Sequence, residues 1–172
     1  MDAITPNLWF DDNAEEAAEF YVSVFPDSRI TRVMRYTEAG PGPEGTAVTV
    51  EFVLRGQPFT GINGGPMFKF TEALSLFVDC KDQKEVDYFW GALGKGGTPG
   101  RCGWLKDRWG LSWQVVPRAL GECLNGPDRA GAQRAMEAML GMNKLDVKKL
   151  KDAYRGVSGK AAGAGKGRRP GR

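Results

Sequence analysis

The chain contains no histidine in 172 residues. That removes the commonest general base and the commonest metal ligand near neutral pH. It excludes Ser-His-Asp and Cys-His catalytic arrangements and any metal triad built on imidazole. Cysteine is scarce, at three residues (Cys80, Cys102, Cys123). An odd number without CxxC spacing argues against a disulfide framework or a thiolate zinc site and fits a reducing compartment. No apolar run approaches the ~20 residues needed to cross a bilayer. The N-terminus lacks a basic segment followed by an apolar one, so a signal peptide is not expected and the cytoplasm is the expected location.

The net charge of +3 is unevenly placed. Lys160, Lys166, Arg168, Arg169 and Arg172 put +5 and no acid into the last sixteen residues, 157–172, which leaves a slightly acidic body. Such a body is a poor nucleic-acid binder, and nonspecific contact by the basic end is the one exception. The Gly-rich composition of 157–172 reads as a disordered tail. The length suits one domain with a sizeable core.

What is present is organised around Cys102–Pro117, CGWLKDRWGLSWQVVP, which reads as strand, turn and strand. The spacing places a strand at Cys102–Lys106, a turn at Asp107–Gly110 and a second strand at Leu111–Pro117. Gly110 supplies a left-handed backbone angle. Earlier, Ile4–Phe10 reads as a strand with Ile4, Leu8 and Phe10 on one face and Thr5, Asn7 and Trp9 on the other. Asp11-Asp12-Asn13 caps a helix whose stripe of Ala14, Ala17, Ala18, Tyr21, Val22 and Phe25 is core packing. Strands follow at 29–36, 46–54 and 59–63, the last two as a hairpin. The segment NGGPMFKF, 63–70, has no GKS or GKT and opens no helix, so it is a linker rather than a phosphate loop. Phe68 and Phe70 are placed to cover a cavity mouth.

The second half repeats the order. A strand at 73–80 precedes a helix capped by Asp82 with Glu85 three residues on, lined by Val86, Phe89, Trp90 and Leu93. A degenerate strand lies near 98–100, and the pair from Cys102 to Pro117 follows. The chain thus reads as an α+β protein of two β-α-β-β-β modules, 3–64 and 72–117, within a domain spanning 1–124. A C-terminal helical extension follows over 125–156, with helices from Asp128 to Leu140 and from Asp146 to Tyr154.

The segments TPNLWFDDNAEEAAEFYVSVFP, FTGINGGPMFKF, SLFVDC, VDYFW, CGWLKDRWGLSWQVVP and RAMEAMLGMNKLDV resemble the PhnB-like proteins. These belong to the vicinal oxygen chelate superfamily, with glyoxalase I, extradiol dioxygenases and bleomycin-resistance proteins. The resemblance covers residues 3 to about 155. It implies paired β-α-β-β-β modules curled around a cavity and a homodimer. Many such relatives are labelled 3-demethylubiquinone-9 3-methyltransferase, which the sequence does not support: no strand leads through a glycine-rich turn into a helix. In metal-using relatives four strands each give a ligand, and the resemblance places these near Thr5, Gly61 or Asn63, Ala73 or Ser75, and Gln114. Only Gln114, with Asn63 behind it, is an oxygen donor of the expected kind, so no metal and no cofactor is expected.

Three functions follow as expectations. The first is a metal-free protein that binds an organic small molecule in a cavity lined by Asn7, Trp9, Asn63, Phe77, Trp104 and Gln114. The second is a glyoxalase- or dioxygenase-like enzyme with a degenerate metal site or a carboxylate, Glu51 or Asp107. Against it, Asp107 suits a turn and Glu51 an outward strand position. The third is an interaction role for the C-terminal helices and basic tail.

Overall fold

The computed structural model describes residues 4–157; the basic segment from 158 onward lies outside the described residues. Thirteen elements occur among them, in the order β1 (Asn7–Phe10), α1 (Ala14–Val24), β2 (Arg29–Arg35), β3 (Ala47–Leu54), β4 (Gln57–Asn63), β5 (Ser75–Cys80), α2 (Gln83–Leu93), β6 (Thr98–Pro99), β7 (Trp104–Lys106), β8 (Ser112–Pro117), α3 (Arg118–Leu124), α4 (Arg129–Leu140) and α5 (Val147–Arg155). The strands form two four-stranded sheets of identical topology, β1-β4-β3-β2 and β5-β8-β7-β6. In each, the first strand of the module runs parallel to the fourth and the remaining pairs are antiparallel. The α+β repeat expected from the sequence is therefore present, and the degenerate strand is the two-residue β6.

Each sheet buries one face. Leu8, Phe10, Val50, Phe52 and Phe59 of the first sheet share one core with Val78, Leu105, Trp113 and Val115 of the second. Helices α1 and α2 lie in that same core through Ala14, Ala17, Ala18, Tyr21, Val86, Phe89 and Leu93. Tyr21 of α1 touches both sheets, with ring centroids 6.2 Å from Phe52 and 5.3 Å from Trp113. Two-residue alternation turns the opposite face of each sheet away from the core. That open face carries Asn7, Trp9, Thr49, Glu51, Thr60 and Ile62 on the first sheet, and Ser75, Phe77, Trp104 and Gln114 on the second.

Two local details differ from the sequence expectation. Ile4 is 96% exposed and precedes the strand, so it does not join Leu8 and Phe10 in the core. Asn13 is the N-cap of α1 but makes no side-chain cap bond. The free amide of Ala14 donates instead to Asn63 Oδ1 at 2.8 Å, a partner supplied by β4. The box at α2 forms as read from the sequence, with Glu85 N donating to Asp82 Oδ1 at 2.9 Å and Glu85 accepting from Lys81 N.

The outer edges of the sheets are β2 and β6. Strand β2 carries three arginines and is irregular at Ile30–Arg32 and Met34–Arg35. Helices α3 to α5 form a smaller cluster around Leu120, Leu145 and Leu150, against which Val116, Met139 and Met142 pack. They clamp the second module. Cys102 N and Gly103 N donate to the carbonyls of Met142 and Asn143, both at 2.8 Å. Gln83 at the start of α2 accepts from Val147 N at 2.7 Å. Among the described residues, no helix is long and apolar enough to cross a membrane.

Candidate functional site

Three of the six residues singled out from the sequence form one row on the open face of the second sheet. Phe77 on β5 pairs in register with Gln114 on β8, and Gln114 pairs with Trp104 on β7. Phe77 is 60% exposed and Trp104 and Gln114 are half-buried. Gln114 Nε2 donates to Ser75 Oγ at 2.9 Å, which orients the amide and leaves its carbonyl oxygen available. Ser112, the register partner of both Ser75 and Lys106, has a buried hydroxyl with no hydrogen-bond partner among the described residues.

Asn7 and Trp9 lie on the open face of the other sheet. Asn7 is exposed and its amide turns back to Thr5 O at 2.9 Å. Trp9 donates through Nε1 to Gly65 O at 2.9 Å and packs edge-on against Phe68, with centroids 5.0 Å apart. Asn63 faces the other way. Its side chain is occupied by Ala14 N and by Ala47 O, the latter at 3.0 Å, so in this chain it holds the first turn of α1 in place.

Two clefts lie at the seam between the sheets: Pro6, just before β1, and Leu76, Phe77, Val78 and Asp79 of β5 line one, and Trp9 and Phe10 at the end of β1 line the other with the β7–β8 turn. The larger, of about 670 Å³, lies between the β3–β4 turn and β5. Its apolar walls include Phe25, Phe59, Leu76 and Phe77, and Arg55 and Gln57 provide polar contacts. At its rim Arg118 Nε donates to Asp79 Oδ2 at 2.8 Å. The size and the mixture of aromatic wall with a few polar groups suit a small organic molecule. Of the six site residues named from the sequence, only Phe77 lines this cleft. Phe25, Arg55 and Gln57 reach it through contacts between modules, for which the sequence offers no short-range signal.

The positions at which a metal-using relative would place its ligands do not assemble one here. Gly61 faces α1, and a Cβ at that position would come 3.1 Å from Ala14 Cβ. Ser75 and Gln114 are bonded to each other. The carboxylate on the open face of β3, Glu51, sits 3.8 Å from Arg32. Among the described residues, no group of three His, Cys, Asp or Glu side chains is gathered as a metal would require. The donor set does not fit a catalytic divalent ion.

Asp107 is a turn residue, as its sequence context suggests, and it is also the most connected buried side chain near the seam. It is 3% exposed. Oδ1 accepts from the backbone N–H groups of Trp109 and Leu111, at 3.0 and 3.1 Å. Oδ2 accepts from Tyr21 Oη at 2.7 Å and Trp113 Nε1 at 2.8 Å. Burial pushes its carboxyl above the usual range, against the pull of these four donors. Burial and the adjacent Asp107 carboxyl raise the Tyr21 phenol well above its ordinary value. The pair joins α1 of the first module to the β7–β8 turn of the second. It lies in the core and ties the two modules together.

The sequence profile of the 3-demethylubiquinone-9 3-methyltransferase family matches residues 2–116. No functionally curated protein matches the chain. Among solved structures, a PhnB protein from Bacillus cereus is 38% identical, with a TM-score of 0.63 over 67% of this chain and 99% of its own. The protein PA1353 from Pseudomonas aeruginosa shares the fold, at 18% identity and a TM-score of 0.55 over 66% of this chain and 95% of its own. A glyoxalase/bleomycin resistance protein from Albidiferax ferrireducens is 17% identical, with a TM-score of 0.39 over 64% and 94%.

Proposed function

Given that the chain belongs to the PhnB-like family that carries the name 3-demethylubiquinone-9 3-methyltransferase, we propose that it is a metal-independent small-molecule-binding protein. Its organic ligand enters the cleft of about 670 Å³ at the seam and extends onto the row of Phe77, Gln114 and Trp104. The observation that carries this reading is that aromatic cleft, with Arg55 and Gln57 as its polar contacts and the Gln114 amide beside Phe77 on the adjoining row. A hydrophobic wall supplies affinity, and the few fixed polar groups set orientation.

The methyltransferase name is not part of the proposal. The connections from β1 to α1 (Asp11–Asn13) and from β5 to α2 (Lys81, Asp82) contain no glycine and present carboxylates. A nucleotide-type methyl donor would call for a glycine-rich turn at such a place.

The proposal includes a homodimer. The open face of the second sheet exposes Phe77, so a second copy laid over it would bury apolar surface and deepen the cavity. A reducing, cytoplasmic setting is also part of it, supported by three free cysteines.

The test is a thermal-shift screen of small organic acids, amides and quinols, followed by calorimetric titration of any hit against wild type and Phe77→Ala. A saturable hit weakened at least fivefold in Phe77→Ala supports the reading. In parallel, untagged protein is titrated with nickel, zinc, iron and manganese. One ion bound per chain with micromolar affinity would overturn the metal-independent part, and light scattering showing only monomer would remove the dimer.

A further inference from the structure

The second cleft at the seam has a different chemistry and is not used by the function proposed above. It measures about 460 Å³ and forms where the NGGPMFKF segment meets the β7–β8 turn. These are two of the stretches most distinctive in the sequence, and only the fold brings them together. Trp9, Phe68, Phe70 and Trp109 give it aromatic walls, and Lys69, Lys106 and Arg108 give it cations.

The cations differ in how far they are already engaged. Lys106 is bridged to Glu72 at 2.7 Å, and that contact holds the Glu72 carboxyl below its usual range. The Arg108 guanidinium is held over the rings of Phe20 and Trp109, 4.8 and 5.0 Å from their centroids. Its nearest carboxylate, Glu16, is 3.7 Å away, beyond hydrogen-bond distance. Among the described residues, the Arg108 side chain has no hydrogen-bond acceptor, and the Lys69 ammonium has neither a hydrogen bond nor an ion pair. Stacking fixes the plane of a guanidinium while leaving its N–H edge free to receive a carboxylate in bidentate fashion. Trp9 is itself fixed by Gly65 and Phe68, so a flat wall stands ready beside the cations. One acid, Asp11, also lines the groove and disfavours a second negative charge at that end.

We propose that this groove is a separate binding site for a planar aromatic monocarboxylate, whose ring lies against the Trp9–Trp109 walls and whose carboxylate is received by Arg108 and Lys69. The site rewards a single negative charge at one end of a flat apolar body. Its volume accommodates one or two fused rings.

The test is calorimetric titration at low salt with 2-naphthoate and with its neutral counterpart 2-naphthalenemethanol. Titrations use wild type, Arg108→Gln, Lys69→Gln and Phe77→Ala. The expected result is saturable naphthoate binding at least tenfold tighter than the alcohol, weakened at least fivefold in Arg108→Gln and in Lys69→Gln and changed less than twofold in Phe77→Ala. Equal affinity for acid and alcohol, or no change in the two charge variants, overturns the site. Loss of binding in Phe77→Ala with none in the charge variants places the acid in the larger cleft and likewise overturns it. Lys69 is on an exposed loop, so its variant remains informative if Arg108→Gln does not fold.

Discussion

Replacing Asp107 by Asn tests whether one buried carboxylate locks the two modules together. The wild-type side chain meets four donors: two backbone N–H groups at Oδ1, and Tyr21 Oη and Trp113 Nε1 at Oδ2. An amide keeps only one acceptor oxygen. If that oxygen stays on the backbone pair, the new NH2 faces Tyr21 and Trp113. The phenol can rotate to accept, but the indole N–H can only donate and is left without a partner. If the amide flips, two backbone donors are orphaned instead. The cheaper arrangement therefore costs one buried unsatisfied donor, about 1–3 kcal/mol. Asp107→Ala removes all acceptors and is expected to cost at least about 3 kcal/mol, a large share of the ~5–15 kcal/mol typical of a domain. Tyr21→Phe removes one donor and one bond, at about 1 kcal/mol, and the double variant with Asp107→Asn should cost less than the sum of the two single changes. Urea unfolding at pH 7, followed by tryptophan fluorescence and circular dichroism, measures each value. An Asp107→Ala protein within 1 kcal/mol of wild type would refute the lock.

Three further outcomes are expected. Burial raises the folded-state carboxyl of Asp107 above its ordinary 3.8, so the folded protein holds that proton more tightly than the unfolded chain. The associated stability is fully present below the unfolded value and is lost as pH rises through the folded one. The stability gap between wild type and Asp107→Asn should therefore narrow as the pH is raised from 3 towards 6, and a gap that widens over that range would contradict the assignment. Gly103→Ala should destabilise by about 1–3 kcal/mol in the same unfolding assay, because φ is +85° and a Cβ would come 2.8 Å from Val115 O and 3.0 Å from Leu145; an unchanged midpoint would show that the contact with the extension is loose. In native protein at pH 8, a thiol reagent should label Cys102 first. Cys80 is fully buried with its thiol pushed up to about 12, and Cys123 is buried, so both should react only on unfolding.

The repeat was legible in the sequence because its signals are local. Alternating strands, the Asp82–Glu85 box and Gly110, whose φ is indeed +89°, each depend on residues within a few positions. The site was less legible because it depends on which residues meet across the modules. Asn63 sits in a strand next to glycines and reads as a ligand-facing amide, yet its partner Ala14 lies 49 residues away. Asp107 reads as a turn residue, and it is one, but the burial that makes it a lock comes from Tyr21, 86 residues earlier. Ile4 continues the alternation of β1 on paper, but pairing with β4 begins only at Asn7. Phe77, Gln114 and Trp104 share a row because the registers of three strands align them, and strand register is a property of the assembled sheet.

The outer strands restrict how copies of this chain can meet. A long, flat, uncharged edge would invite another chain to add a strand, the route by which sheets grow into fibres. Strand β6 offers only two residues, one of them Pro99, which lacks a donor. Strand β2 is longer, but it carries Arg29, Arg32 and Arg35 and is broken by two irregularities of register. Neither rim is a usable template. Molecules that associate in solution are thereby steered away from open-ended stacking through their rims and toward a closed contact through their faces, where the aromatic row lies.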